Sequence, residues 1–330
     1  MKKVAVIPPI SKSDYLLNTV LDGLIELAHE GEVELRTLKG SPTPFSIDPF
    51  IISESAFIEY AKGADLIILA WGKADTNFAL TEKISRWDKT VFVDGSELGK
   101  DRRFDSVIQK QVADMTYEGL GAIDKIMLAK CKKYFRREKP YINGILPFPF
   151  GIETRYRARF NKAVKKDIDF VCIFGQEDFP KMRKEVRLIL EEFCKKNNFI
   201  CATKKTKGFT FDDTTKVAGR NEFYELLARA KVGISVGGGG YDTARFWEIL
   251  GNNCMLLTEK IDIETPLGEK LDYSRIHEFT TVEDFKKKLE EVAMFLRAGY
   301  DQEKTLEEYA RIIEEQSTKA RVRHLLTTSL

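Results

Sequence analysis

The sequence predicts an α/β fold of two doubly wound, Rossmann-like domains that face one another across a central cleft. Three observations carry this prediction. Strand and helix signals alternate along the chain, and the alternation occurs twice, on either side of a cluster of prolines and glycines. At 330 residues the chain is long for a single core and suits two domains of ordinary size. Its apolar strands lack strict apolar–polar alternation, as expected where helices cover both faces of a parallel sheet.

In order, KVAVIP reads as a buried strand, and SDYLLNTVLDGLIELAHEG as an amphipathic helix with Ser13 or Asp14 near its cap and Gly31 beyond its end. EVELRTL is a second strand. Ser53 to Lys62 is a short helix closed by Gly63, followed by the apolar strand DLIILAWG, a helix around Thr76 to Arg86 and the strand TVFVDG. The pattern breaks at YINGILPFPFGIE and the basic stretch RYRARFNKAVKK, which read as the inter-domain connection. The alternation restarts with DFVCIFG, a helix from Lys181 to Asn197, a possible strand NFICATKK, a helix from Asn221 to Arg229 and the strand KVGISV. After the glycine run come a helix over 242–250, the strand CMLLTEK, a short strand near HEFTT and the helix VEDFKKKLEEVAMFL; EKTLEEYARIIEEQSTKARVRHLL reads as helical throughout. The expected domains are 1–150 and 167–302, joined by a linker over 151–166. A helical segment over 303–330 is free to pack back on the first domain.

Hydrophobic residues make up 43% and charged residues 32%, enough to bury two cores and keep a polar surface. The net charge of only +2 argues against a partner held by phosphate neutralisation, so no nucleic acid is expected. Basic clusters at 130–137 and at Lys204, Lys205 and Lys207 are offset by acidic residues elsewhere. The five cysteines (131, 172, 194, 201 and 254) form no CxxC pair and have no neighbouring histidine, which suggests a reducing compartment and no structural zinc. The first apolar run stops at two prolines, short for a signal peptide, and no run reaches membrane-spanning length. A cytoplasmic location is expected, with peripheral membrane contact and oligomeric state left open.

The run VGGGGYDTARFWEIL, residues 236–250, places four glycines at the end of a strand and before a helix. Ligands of open α/β sheets sit at the carboxyl ends of strands. Glycines there permit positive φ and close approach to main-chain amides, and the helix start favours an anion such as a diphosphate. Asp242 is a favoured cap residue. GxGxxG and GxxxxGK[ST] are both absent, which disfavours a Walker-type nucleotidase and a standard dinucleotide site. On the helix, Phe246, Ile249 and Leu250 face the core, while Arg245 and Glu248 share another side. There Arg245 can meet phosphate oxygens and Glu248 can accept from vicinal hydroxyls such as those of a ribose. Trp247 reads as packing.

The run GGGGYDTARFWEILGNNCMLLTE resembles the C-terminal motif of CgeB-like, spore-maturation-type glycosyltransferases, relatives of the family 4 enzymes with the GT-B fold. DIDFVCIFGQEDFPKMRKEVRLIL resembles the start of that family's second domain, ILPFPFGIE its linker, and HEFTTVEDFKKKLEEVAMFL with RVRHLL its C-terminal end; KKYFRRE is similar to a basic stretch late in its first domain. The resemblance implies metal-independent transfer of a sugar from a nucleotide-diphosphate donor, UDP or GDP first, to a glycan, lipid-linked or protein acceptor held on the first domain. It implies no cofactor. Glu248 matches the glutamate that binds the donor ribose, Gly237, Gly238, Gly239 and Gly240 the loop near the diphosphate, and Gly175 the glycine turn of the second domain. The glutamate common in the wider family seven residues upstream falls on Tyr241, between that loop and Asp242 and Thr243.

Glycosyl transfer builds negative charge on the leaving diphosphate, which a metal-free site must meet with amides and cations. Arg245, Arg183 and the pair Arg136 and Arg137 are the candidate cations, because a guanidinium can hold two oxygens at once. An inverting reaction also needs a base on the acceptor hydroxyl. Asp94 leads the candidates, ahead of Glu97, Asp14 and Asp75. Of the histidines, only His277 has a loop setting. Two alternatives remain: a non-catalytic protein of this fold that binds a nucleotide sugar or glycan, and a Rossmann-like oxidoreductase or epimerase, disfavoured by the absence of GxGxxG after the first strand.

Overall fold

The computed structural model describes residues 1–10, 15–40, 43–71, 76–98, 106–119, 121–203, 217–268 and 270–330. The first sheet contains β1 (Lys2–Ile7), β2 (Val33–Thr37), β3 (Leu66–Trp71), β4 (Thr90–Asp94), β5 (Lys133–Arg136) and β6 (Ile145–Pro147). Its order is β2-β1-β3-β4-β5-β6, all parallel. Helices α1 (Tyr15–His29), α2 (Glu54–Lys62), α3 (Phe78–Ile84), α4 (Ser106–Ala113) and α5 (Lys125–Lys130) connect these strands. Ser53, read as the first residue of this helix, caps α2 instead by accepting from the Ala56 amide.

The second sheet contains β7 (Ile168–Val171), β8 (Cys201–Ala202), β9 (Ala230–Ser235), β10 (Met255–Glu259) and β11 (Ile276–Phe279), in the parallel order β11-β10-β9-β7-β8. It is joined by α6 (Met182–Asn197), α7 (Val217–Arg229), α8 (Ala244–Leu250) and α9 (Val282–Gly299), and followed by α10 (Leu306–Gln316) and α11 (Thr318–Ser329). Two parallel Rossmann-like sheets, each covered by helices, thus form the architecture. β4 and β9 are buried over nearly their whole length, which explains why both lack a period-two pattern.

Three local expectations are corrected. The stretch around 133–147, read as a basic segment running into a linker, supplies β5 and β6, so the first sheet is larger than its obvious strands suggest. His277 lies inside β11, paired with Leu257, rather than in a loop. The terminal region is not one helix: Ser317 is extended (φ −67°, ψ 158°) between α10 and α11. That break lets the Ile152 amide donate to Gln316 O at 2.8 Å and Ile152 O accept from the Thr318 amide at 3.2 Å. α11 then returns to the first lobe, where Val322, Leu325 and Leu326 join a core cluster with Leu17, Leu21 and Leu24 of α1. All five cysteines are free. No described helix is long and apolar enough to cross a membrane.

Candidate functional site

In the second sheet the chain leaves β7 for β8 on one side and reaches β9 on the other, so the loops after β7 and β9 part at their carboxyl ends. This is the topological switch point at which open α/β sheets bind ligands. Gly175 lies in the loop after β7, and Gly237 to Gly240 form the loop after β9. Arg183, near the start of α6, spans the two: its Nη1 donates to Gln176 O at 3.0 Å and its Nη2 to Val236 O at 3.2 Å. Its guanidinium lies 5.2 Å from the Phe174 ring centroid. Burial lowers its pKa to about 10, with repulsion from Arg245 adding to the effect, so it is still a cation at neutral pH.

Arg245 and Glu248 pair as their helical spacing predicts, Nη1 to Oε2 at 2.7 Å, with side chains only 13% and 14% exposed. The Arg245 guanidinium stacks 3.7 Å from the Phe223 ring centroid, and Glu248 Oε1 accepts the Tyr224 hydroxyl at 3.1 Å. Arg183 and Arg245 each keep a buried Nε without a hydrogen-bond partner among the described residues. Two largely buried guanidinium groups, each with a donor unused among the described residues, thus give this corner of the crevice positive charge.

The glycine loop differs from expectation in three ways. None of its four glycines has a positive φ; glycine is required instead for close approach. A Cβ on Gly238 would lie 2.9 Å from Arg183 Nη2, and one on Gly240 would lie 2.7 Å from the Glu97 carboxylate of the first lobe. Several loop amides are already used: Gly237 donates to Glu259 at 2.9 Å, Gly238 to Gly240 O at 3.2 Å and Tyr241 to Glu138 at 3.3 Å. The Gly239 and Gly240 amides have no partner among the described residues. Finally, Asp242 does not cap α8. Thr243 occupies the N-cap without a side-chain bond, and Asp242 is buried, accepting from Phe150 N at 2.6 Å and Trp247 Nε1 at 2.7 Å. Burial raises its carboxyl pKa against the pull of Arg137. Trp247 is fully buried, as packing requires.

The segment after β5 meets the second lobe residue by residue. Glu138 accepts from Leu98 N at 2.8 Å on its own lobe and from Tyr241 N across the cleft. The Tyr141 hydroxyl donates to Asp262. Arg137 pairs with Glu97 and lies 4.7 Å from the Phe150 ring centroid. Arg136 points elsewhere; it is fully buried and donates to Gly121 O at 2.5 Å, so it is neither a solvated end nor beside the glycine loop. Asp94 lies beneath the cleft rather than in it, 1% exposed, its oxygens taken by Ser96 N at 2.8 Å and the Tyr134 hydroxyl at 2.6 Å. Asp14, Asp75, Lys204, Lys205 and Lys207 fall outside the described residues. Of the two acidic candidates among the described residues, Asp94 and Glu97, it is Glu97 that is brought to the glycine loop. Glu138, Glu259 and Tyr224 had no sequence signal beyond Glu259 ending an apolar strand beside KVGISV.

A cavity of about 420 Å³ opens at the carboxyl ends of β1, β2 and β3, lined in part by Pro9, Leu38, Lys39, Ser53, Asn77 and Lys83.

No family model matches the chain, and no curated protein matches it. Solved structures do. An alpha-glucosyltransferase in complex with UDP and a 13-mer DNA superposes with a TM-score of 0.61 at 12% identity over 100% of both chains. A glycosyltransferase from Rickettsia africae ESF-5 gives 0.56 at 12% identity, covering 99% of this chain and 97% of that one. A Listeria monocytogenes protein assigned as a UDP-N-acetylglucosamine 2-epimerase gives 0.50 at 12% identity, covering 99% and 95%. The fold is therefore that of the GT-B glycosyltransferases. One expectation is overturned. Near-neutral charge predicted no nucleic-acid partner, yet a protein of this fold is in complex with DNA. Charge averaged over a whole chain does not describe the one face that an acceptor touches.

Proposed function

We propose that the chain is a nucleotide-sugar glycosyltransferase of hexosyltransferase type, related to the CgeB-like enzymes, and that it works without a metal. The donor is a UDP-sugar in the first instance, with GDP as the second choice, and its diphosphate lies in the crevice between the loops after β7 and β9. The observation that carries this reading is Arg183, which ties the loops after β7 and β9 and lies against Gly238, with Arg245 fixed on Phe223 and Glu248 at the start of the helix that follows.

As the anomeric bond breaks, charge collects on the leaving diphosphate. Arg245, held flat by Phe223 and Glu248, presents a fixed fork to it, and the Gly239 and Gly240 amides add neutral donors. Glu248 uses one lone pair on each oxygen, so each retains another for a ribose hydroxyl. The ring of Tyr241, the buried carboxyl of Asp242 and Thr243 shape the floor below, and Gly175 lines the opposite wall. In this reading residues 1–150 carry the acceptor, 167–302 the donor, and 303–330 tie the lobes together. The acceptor is a glycan, a lipid-linked molecule, a protein or a nucleic acid, seated against the first-lobe cavity. Because Asp94 is enclosed, Glu97 is the better placed base should the reaction invert.

The test is a thermal-shift series with UDP, GDP, CDP, ADP and dTDP, followed by product analysis with the matching nucleotide sugars. UDP should raise the melting temperature, and Glu248→Ala should abolish both the shift and sugar release. No shift with any diphosphate would dispose of the reading. Binding without turnover would favour a non-catalytic protein of this fold, and a changed sugar still attached to UDP would favour an epimerase.

A further inference from the structure

The glycine loop already holds anions, and they belong to the protein. Glu259 accepts from Gly237, Glu138 accepts from Tyr241, and the Glu97 side chain lies where a side chain on Gly240 would begin. Glu97 is ion-paired there with Arg137, whose side chain is 4% exposed and whose Nε has no hydrogen-bond partner among the described residues. Glu97 and Arg137 come from the first lobe and Gly240 from the second, so this contact closes across the cleft at the edge of the anion-receptive crevice.

We infer that Glu97 is a built-in competitor of the nucleoside diphosphate: the incoming diphosphate takes the Arg137 guanidinium from Glu97, which leaves its seat on Gly240. The inference deepens the donor-binding reading above and rests on it. A diphosphate offers more charge than one carboxylate and can engage both edges of a guanidinium, including the Nε that Glu97 leaves unused. Vacating Gly240 also exposes an amide that has no described partner. Linkage makes the effect reciprocal: whatever weakens the Glu97–Arg137 pair must strengthen diphosphate binding. Glu97 therefore sets donor affinity, and the cleft stays shut on its own carboxylate until a donor arrives.

The experiment is calorimetric titration of the whole protein with UDP at fixed salt, using wild type, Glu97→Gln and Glu97→Asp, each first checked for cooperative melting. Glu97→Gln should bind UDP about five- to tenfold more tightly than wild type, within the ordinary range of intramolecular coupling. Glu97→Asp keeps the charge but reaches Arg137 less well, and should fall between the two. Unchanged or weaker binding by Glu97→Gln would overturn the inference. So would tighter Glu97→Gln binding with Glu97→Asp equal to wild type, since that is repulsion without exchange of the ion pair. If Glu97→Gln does not fold, Glu97→Asp alone decides, with about two- to threefold tightening expected. If wild type and variants all fail to bind any nucleoside diphosphate, the donor-site reading falls and this inference with it. If wild type binds and the variants bind no tighter, only the inference falls.

Discussion

Glu153, in the connection between the sheets, is fully buried, accepts the Tyr156 hydroxyl at 2.8 Å and pairs with Arg155. Burial outweighs the guanidinium and pushes its carboxyl up to about 7, from an ordinary 4.5. The folded chain then keeps a proton that the unfolded chain loses, so stability falls as pH rises from about 4.5 to 7. Asp22, raised by burial as well, adds in the same direction. Glu153 should therefore contribute about 2 kcal/mol more stability at pH 5 than at pH 7, read in urea denaturation as the difference between wild type and Glu153→Gln at the two pH values, since His277 and His324, lowered by burial, act in the opposite direction in both proteins. At the candidate site, Arg245→Ala should weaken UDP binding by about 1.5–3 kcal/mol in titration calorimetry. Arg245→Lys should not restore it, because an ammonium cannot reproduce the flat stack on Phe223. The Arg245–Glu248 pair was legible because both residues lie one turn apart on one helix. Glu138 and Asp242 were not, since their partners (Tyr241 and Leu98; Phe150 and Trp247) meet them mostly through folding of distant chain.

Among elements, the long apolar strands and amphipathic helices were readable from their period; β9 and α9 show this. β5 and β6 were not, because a four-residue strand opening on an exposed lysine and a three-residue strand ending in proline carry no period of their own. Their neighbours in the sheet define them. The split between α10 and α11 was missed because the sequence through Ser317 keeps helical spacing; its one signal is Ser317 itself, which caps α11 by accepting from the Ala320 amide at 3.3 Å, beside the bridge to Ile152. α11 is held by its apolar face, so Leu325→Ala, at a position with no exposure, should cost about 2–4 kcal/mol in urea denaturation. Thr327→Ala, on the outward side, should change little.

At the scale of the molecule, the two-lobed plan followed from one break between two alternations, while the contacts that set the lobes against each other did not. Glu138 serves both lobes through two buried amides, and Glu138→Ala leaves both donors without it. It should cost about 2–5 kcal/mol in thermal or urea unfolding and broaden the small-angle scattering profile as the cleft loosens. Asp22 of α1 has a comparable reach, accepting from the Thr154 amide at 2.8 Å and the Thr318 hydroxyl at 2.6 Å. Because α11 covers the outer face of α1, the first sheet's layer is finished by residues that leave the ribosome after the whole second sheet has been made. A nascent first half must therefore wait with leucine-rich surface uncovered. Expressed alone, residues 1–150 should precipitate, and a supplied peptide spanning α11 should return them to solution.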